Sequence, residues 1–219
     1  MIDVAKVKSV VEYLLNIIRA QSLIIAKTVD SEKKLEGLRK KIAKHEGKLI
    51  HTREKAVNEL LREEAAEQRD KTRVGELIRV EFGRELKDEG RVLNTERAEE
   101  HVEEKLITDT KEEIDCDLHI KKDLDMQESL LRTMLQMVAR PEFNADASVL
   151  TKFANSCDEY GKLLHDKISH FSKKKHVDIE VAGLIKKEKA LHSEELKEET
   201  EVRRETDSFA NAMGDGVKR

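Results

Sequence analysis

The sequence has no tryptophan, one proline and only seven other rings of the Phe and Tyr kind, five Phe and two Tyr, in 219 residues. A compact globular core normally draws on large aromatic side chains, so a core of that type is not expected. Pro141 is the sole proline, which leaves long stretches with no strong helix breaker. Cys116 and Cys157 are too few for a disulfide framework and suit a reducing compartment. The first residues lack a basic segment followed by an uninterrupted apolar run and a small-residue cleavage site, so no secretory signal is expected. The expected location is cytoplasmic, with peripheral attachment to a membrane as the alternative. Excess positive charge is missing too: the formal net charge is −4. From Gly90 to Val138, thirteen acidic side chains face seven basic ones. No nucleic acid is expected as a partner, because such a surface repels a polyanion.

What the sequence does have is charge and periodicity. Charged residues make up 40% and hydrophobic residues 38%, and the apolar positions recur at helical spacing, a pattern of long helices or coiled coils. The expected fold is all-α and elongated, a long antiparallel helical hairpin with an amphipathic N-terminal helix and two shorter C-terminal helices.

Residues 1–29 read as the amphipathic N-terminal helix, with Val4, Val7, Val11, Leu14, Ile18 and Ile25 on a broad apolar face. Residues 30–138 read as the hairpin. Its first arm carries a narrow stripe that includes Leu35, Leu38, Ile42, Leu49, Val57 and Leu60, and thins between Arg62 and Arg73. Its turn is placed at Gly90, with Asn94 and Thr95 offering a cap for the second arm. That arm carries Val102, Leu106, Ile114, Leu118, Leu124 and Leu131. Residues 139–213 read as two further helices, opened by Pro141, capped at Asp146 and Asp178, and separated at "SKKKH". Residues 214–219 read as a flexible tail.

The chemistry-bearing patterns are sparse. A di-iron bundle places a Glu three residues before a ligating His, and none of the eight histidines has a carboxylate there. "HEGKL" has Leu49 where a zinc-protease helix needs its second His. Cys116, His119 and Asp123 share one helical face, but a structural zinc site wants four ligands in two convergent pairs, and a solvated face is the preferred reading. Gly214 and Gly216 precede no helix that would bind phosphate. The "KKKH" cluster reads as a solvated linker. No catalytic, cofactor-binding or metal-ligating residue is assigned, and no cofactor is expected.

The stretch "VEYLLNIIRAQSLIIAK", Val11 to Lys27, is too interrupted by Glu12 and Arg19 to be read as a bilayer span; its longest charge-free run is seven residues. Residues 1–29 carry net charge +2, so an interfacial membrane helix is one reading and protein contact is the other. The order of segments, an amphipathic N-terminal helix, a long hairpin and shorter helices after it, resembles that of the phage-shock and vesicle-inducing membrane-remodelling family. That likeness of layout implies a peripheral membrane-binding scaffold. The residues themselves favour a non-enzymatic structural protein that self-assembles, as a homo-oligomer or filament subunit or against a larger helical partner. The interface candidates are Val7, Val11, Leu14, Ile18, Ile25, Leu38, Ile42, Leu118 and Leu124.

Overall fold

The computed structural model describes residues 3–67 and 73–216, with side-chain surroundings within 3–63, at 65 and 80, and within 83–204. Among these residues the chain forms three helices and no strand: α1, Val4–Glu67, α2, Arg73–Val138, and α3, Ala147–Gly216. The all-α fold expected from composition is what forms.

The boundary expected at Pro141 and Asp146 holds, for the reason that pointed to it. Asp3 opens α1, its Oδ1 accepting from the Lys6 amide at 3.1 Å. Around Pro141 the chain turns over residues 139–145, and Asp146 Oδ1 accepts from the Ser148 amide at 2.7 Å as α3 begins. Phe143 seals this end. It is 1% exposed, packs with Val138 and Val149, and meets Phe153 edge to face with ring centroids 5.3 Å apart.

Three other boundaries do not form, and the expected first arm of the hairpin is divided instead between α1, which ends at Glu67, and α2, which begins at Arg73, so five expected helices become three. No break separates residues 29 and 30. There the Thr28 and Ser31 hydroxyls donate back to the carbonyls of Ile24 and Lys27, at 3.1 and 3.0 Å, which lets capping residues sit inside a helix. Gly90 is no turn. No glycine among the described residues has a positive φ, and Val92 and Leu93 beside it are buried in α2. Thr95 does not cap; its hydroxyl donates to Glu198 at 2.9 Å. "SKKKH" is no linker either. Ser172 donates to the Ile168 carbonyl at 3.0 Å, and Lys174 turns inward. Burial of the surrounding helix therefore outweighed the local punctuation. Residues 68–72, between α1 and α2, lie outside the described residues. The segment expected to be a loose tail is helical through Gly216, and 217–219 lie outside.

The chain divides into two compact units. Unit 1 comprises Met1–Gly37 and Thr108–Val181; unit 2 comprises Leu38–Ile107 and Ala182–Arg219. Each contains parts of all three helices, packed as a bundle in which α2 runs against α1 and α3. In unit 1, Arg19 meets Glu128 at 3.0 Å while Glu32 and Asp117 share Lys174. In unit 2, Arg39 meets Glu103 at 2.9 Å while Arg53 reaches Glu96 at 3.4 Å. In both, numbers rise along α1 as they fall along α2.

The apolar core of unit 1 joins Val11, Leu15, Ile18, Ile25 and Val29 of α1 to Ile120, Leu124, Leu131 and Met134 of α2. Fully burying each large aliphatic side chain contributes roughly 1.5–3 kcal/mol. Polar layers interrupt this core. Lys167 donates to Gln21 and Gln127, both at 3.1 Å, and Lys174 contacts Glu32 at 2.9 Å and Asp117 at 2.5 Å. In each layer a lysine of α3 bridges α1 and α2. Unit 2 is more polar inside. Arg39 pairs with Glu103 and lies 3.9 Å from Glu188, and Arg53 lies 3.0 Å from Glu199 and 3.7 Å from Glu89. Ile50, Val92, Val102 and Leu106 supply its apolar contacts. Buried pairs of this kind add little net stability, but leaving one partner unpaired is costly, so they disfavour slipped registers.

Candidate functional site

The N-terminal part of α1 is apolar on two sides. One side, Val11, Leu15, Ile18, Ile25 and Val29, faces the core of unit 1. The other follows a second heptad spacing, Val10, Leu14, Ile17 and Ile24, with Tyr13 at its edge. Val10 is 52% exposed, Tyr13 66% and Ile24 62%, while Leu14 and Ile17 are half-buried. Alternating steps of four and three residues carry the same register to Leu35, also exposed; in unit 2, Leu38, Ile42 and Leu49 are exposed as well. Apart from Leu14 and Ile17, these apolar residues are about two-fifths to two-thirds open to solvent, which a helix with a single buried face does not require.

Beside this row in unit 1 lies an apolar groove between α1 and α3, about 390 Å³ in volume. Val10 and Leu14 form one wall, Phe153, Cys157 and Tyr160 the other, and Leu131 and Met134 of α2 line it as well. The α3 wall continues at helical spacing to Leu164, Ile168 and Phe171, all exposed. Desolvation pushes both the Cys157 thiol and the Tyr160 hydroxyl above their ordinary ranges, so each stays neutral at pH 7 and the wall remains apolar.

The interface candidates are divided by this arrangement. Val11, Ile18, Ile25 and Leu124 are packed inside the chain's own core, with Val7 against it. Leu14 lines the groove. Leu38, Ile42 and Leu118 are exposed. Val10, Ile17 and Ile24 were not among the candidates, although their alternation of four and three, with Gln21 between, was there to be read. The same N-terminal part of α1 contains a window long and apolar enough, by length and composition, to cross a membrane. In the fold, one side of that stretch is committed to α2.

The bundle interiors hold several carboxyls away from their ordinary range. Burial, then a hydrogen bond with Asp178 and the charges of Asp178 and Glu32, raises Glu113 to about 7. Burial also raises Glu32, against the opposing hydrogen bond of Lys174. In unit 2, burial and the charge of Glu195 raise Glu99 to about 7. The Cys116, His119 and Asp123 set does not converge. Cys116 is buried, His119 Nδ1 lies 2.7 Å from the Asp115 carbonyl, and Asp123 bonds His170 at 2.8 Å. Among the described residues, the three ligand-type groups that do meet are Glu99, His192 and Glu195.

Comparison with protein-family models, with curated proteins and with solved structures gave no match.

Proposed function

We propose that this chain is a structural protein that assembles with copies of itself through the outward heptad row of α1, in the manner of a coiled coil. The observation that carries the reading is the exposure of Val10, Ile24 and Leu35 in one register of unit 1. Heptad spacing of apolar residues is what a partner helix packs against, knobs into holes. The α1/α3 groove beside it is concave and apolar, a shape that fits a helix ridge. The row and the groove lie side by side on unit 1, so each of two copies would bring both a ridge and a receptor, as an isologous contact needs.

A second reading, a membrane scaffold, draws on the same apolar residues and on the net charge of +2 within residues 1–29. The groove argues against it, because its rim carries Asp3 beside Lys6 rather than a cationic border, and a bilayer is flat where the groove is hollow. Sedimentation of the purified chain with and without anionic vesicles separates the two. Self-assembly predicts a mass that grows with protein concentration in buffer alone and does not change with lipid. The membrane reading predicts a monomer in buffer that pellets with vesicles, less so as salt rises.

A further inference from the structure

The interior of unit 2 has a repeating electrostatic plan. At Arg39 of α1, a cation meets Glu103 of α2 and Glu188 of α3. Two heptads further along α1, Arg53 meets Glu89 and Glu96 of α2 and Glu199 of α3. Each layer is thus one cation of α1 among carboxylates of its neighbours.

Halfway between them α1 supplies Glu46, a carboxylate. Around it stand Glu99 of α2 and Glu195 of α3, and the largest charge influences on Glu46 all come from acids: Glu103, Glu188, Glu100 and Glu195. Glu99 in turn lies in the fields of Glu195 and Glu46, with His192 as the group that opposes them. Glu46 Oε2 and Glu99 Oε1 are enclosed oxygens with no hydrogen-bond partner. Enclosed, unpartnered carboxylate oxygens are costly to keep. This layer lacks the cation that its neighbours have.

We propose that a divalent transition-metal ion of the zinc type occupies this layer, held by Glu99, His192 and Glu195, with the charge of Glu46 close by. The ligand atoms of Glu99, His192 and Glu195 all lie within 4.8 Å of one another. His192 Nδ1 is 3.4 Å from Glu195 Oε2 and 3.9 Å from Glu99 Oε1. Two ligands of a tetrahedral zinc ion, each about 2.05 Å from it, stand about 3.3 Å apart. The His192–Glu195 pair already has this spacing, the His192–Glu99 pair needs only a small closure, and the Glu99–Glu195 pair lies within 4.8 Å. His192 and Glu195 are three residues apart on α3, which puts both on one face. The mixed nitrogen and oxygen donors select zinc, cobalt or iron over magnesium and calcium, which take oxygen alone. The His192 side chain is 74% exposed, so an ion has an open path from solvent. The charge balance is also improved: two positive charges among three carboxylates restore the pattern of the layers on either side.

The test is calorimetric titration of the full chain, stripped with chelator, with zinc, and with cobalt read by its visible absorption. The expected result is one saturable zinc per chain, a tetrahedral cobalt spectrum, and no displacement by excess magnesium. His192→Ala and Glu99→Gln should each weaken binding at least tenfold. His176→Ala, which removes the exposed partner of Glu180 at 3.6 Å, should bind like the unaltered chain. Because His192 is largely exposed, its replacement should leave circular dichroism unchanged, and Glu99→Gln checks the same site from α2. Absence of saturable binding, or equal binding in His192→Ala and the unaltered chain, would overturn the assignment.

Discussion

Arg39 of α1 donates to Glu103 of α2 at 2.9 Å in the interior of unit 2, with the two side chains 9% and 2% exposed. Leu38, next to Arg39 in sequence, is 56% exposed. At this point the charged residue is inside and the leucine outside. An inward Arg–Glu pair is favourable only with both partners present, since removing one strands a buried charge.

Arg39→Ala should therefore lower the free energy of unfolding by about 3–5 kcal/mol. The double change Arg39→Met with Glu103→Leu, which replaces the pair by apolar groups, should come back to within about 1 kcal/mol of the unaltered chain or exceed it. Urea denaturation of the single and double variants measures both. A double variant as unstable as Arg39→Ala would mean that the pair is not the source of the loss.

The core of unit 1 supplies a contrast of magnitude. Leu124 is 0% exposed and Leu196, on the outside of α3, is 60% exposed. Leu124→Ala should cost about 2–5 kcal/mol through lost burial and the cavity left behind. Leu196→Ala should stay within about 0.5 kcal/mol. Thermal or urea unfolding of the two variants side by side checks the order.

The helical class was legible because composition and apolar spacing act along the whole chain. The direction each stripe faces was less so, and Arg39 shows why. Leu35, Leu38, Ile42 and Leu49 make a regular row, and a row of leucines is ordinarily assigned to the core. In α1 a second row, Glu32, Arg39, Glu46, Ile50 and Arg53, faces inward, and its Glu32, Arg39 and Arg53 find opposite charges on α2 and α3. Such complementarity depends on residues more than thirty positions away, which spacing along one helix does not reveal. The boundaries at Asp30, Gly90 and Asp178 misled for a related reason. Asp, Ser, Thr and Gly mark helix ends when exposed, whereas here back-bonding hydroxyls and buried flanking residues kept the helices whole. The Glu99, His192 and Glu195 group escaped because the pattern sought was a Glu three residues before a His. On α3 the Glu follows the His by three, and Glu99 comes from another helix.

Stability should also depend on pH, with a definite sign. Glu113 is ordinarily half-protonated at 4.5 and is raised to about 7 in the fold, through burial and the nearness of Asp178 and Glu32, with Lys174 opposing. Between these values the folded chain binds more protons than the unfolded chain, so stability falls as pH rises from about 4.5 to about 7. Glu32, also raised, adds in the same direction. In chelator-treated buffer, the melting temperature should be higher at pH 5 than at pH 8, and Glu113→Gln should flatten the slope. A melting temperature that climbs over this interval would contradict the protonated state assigned to Glu113.

The solution mass tests assembly through the outward row of α1 most directly. Ile18→Asp and Ile25→Asp place a carboxylate in the chain's own core, so they report on folding. Val10→Asp and Ile24→Asp alter the exposed row and leave that core alone. Sedimentation equilibrium of the unaltered chain should give a multiple of 25.2 kDa that rises with concentration. The Val10→Asp, Ile24→Asp double variant should give 25.2 kDa with unchanged helicity. An unaltered chain of 25.2 kDa at every concentration, or a double variant that keeps the larger mass, would contradict assembly through this face.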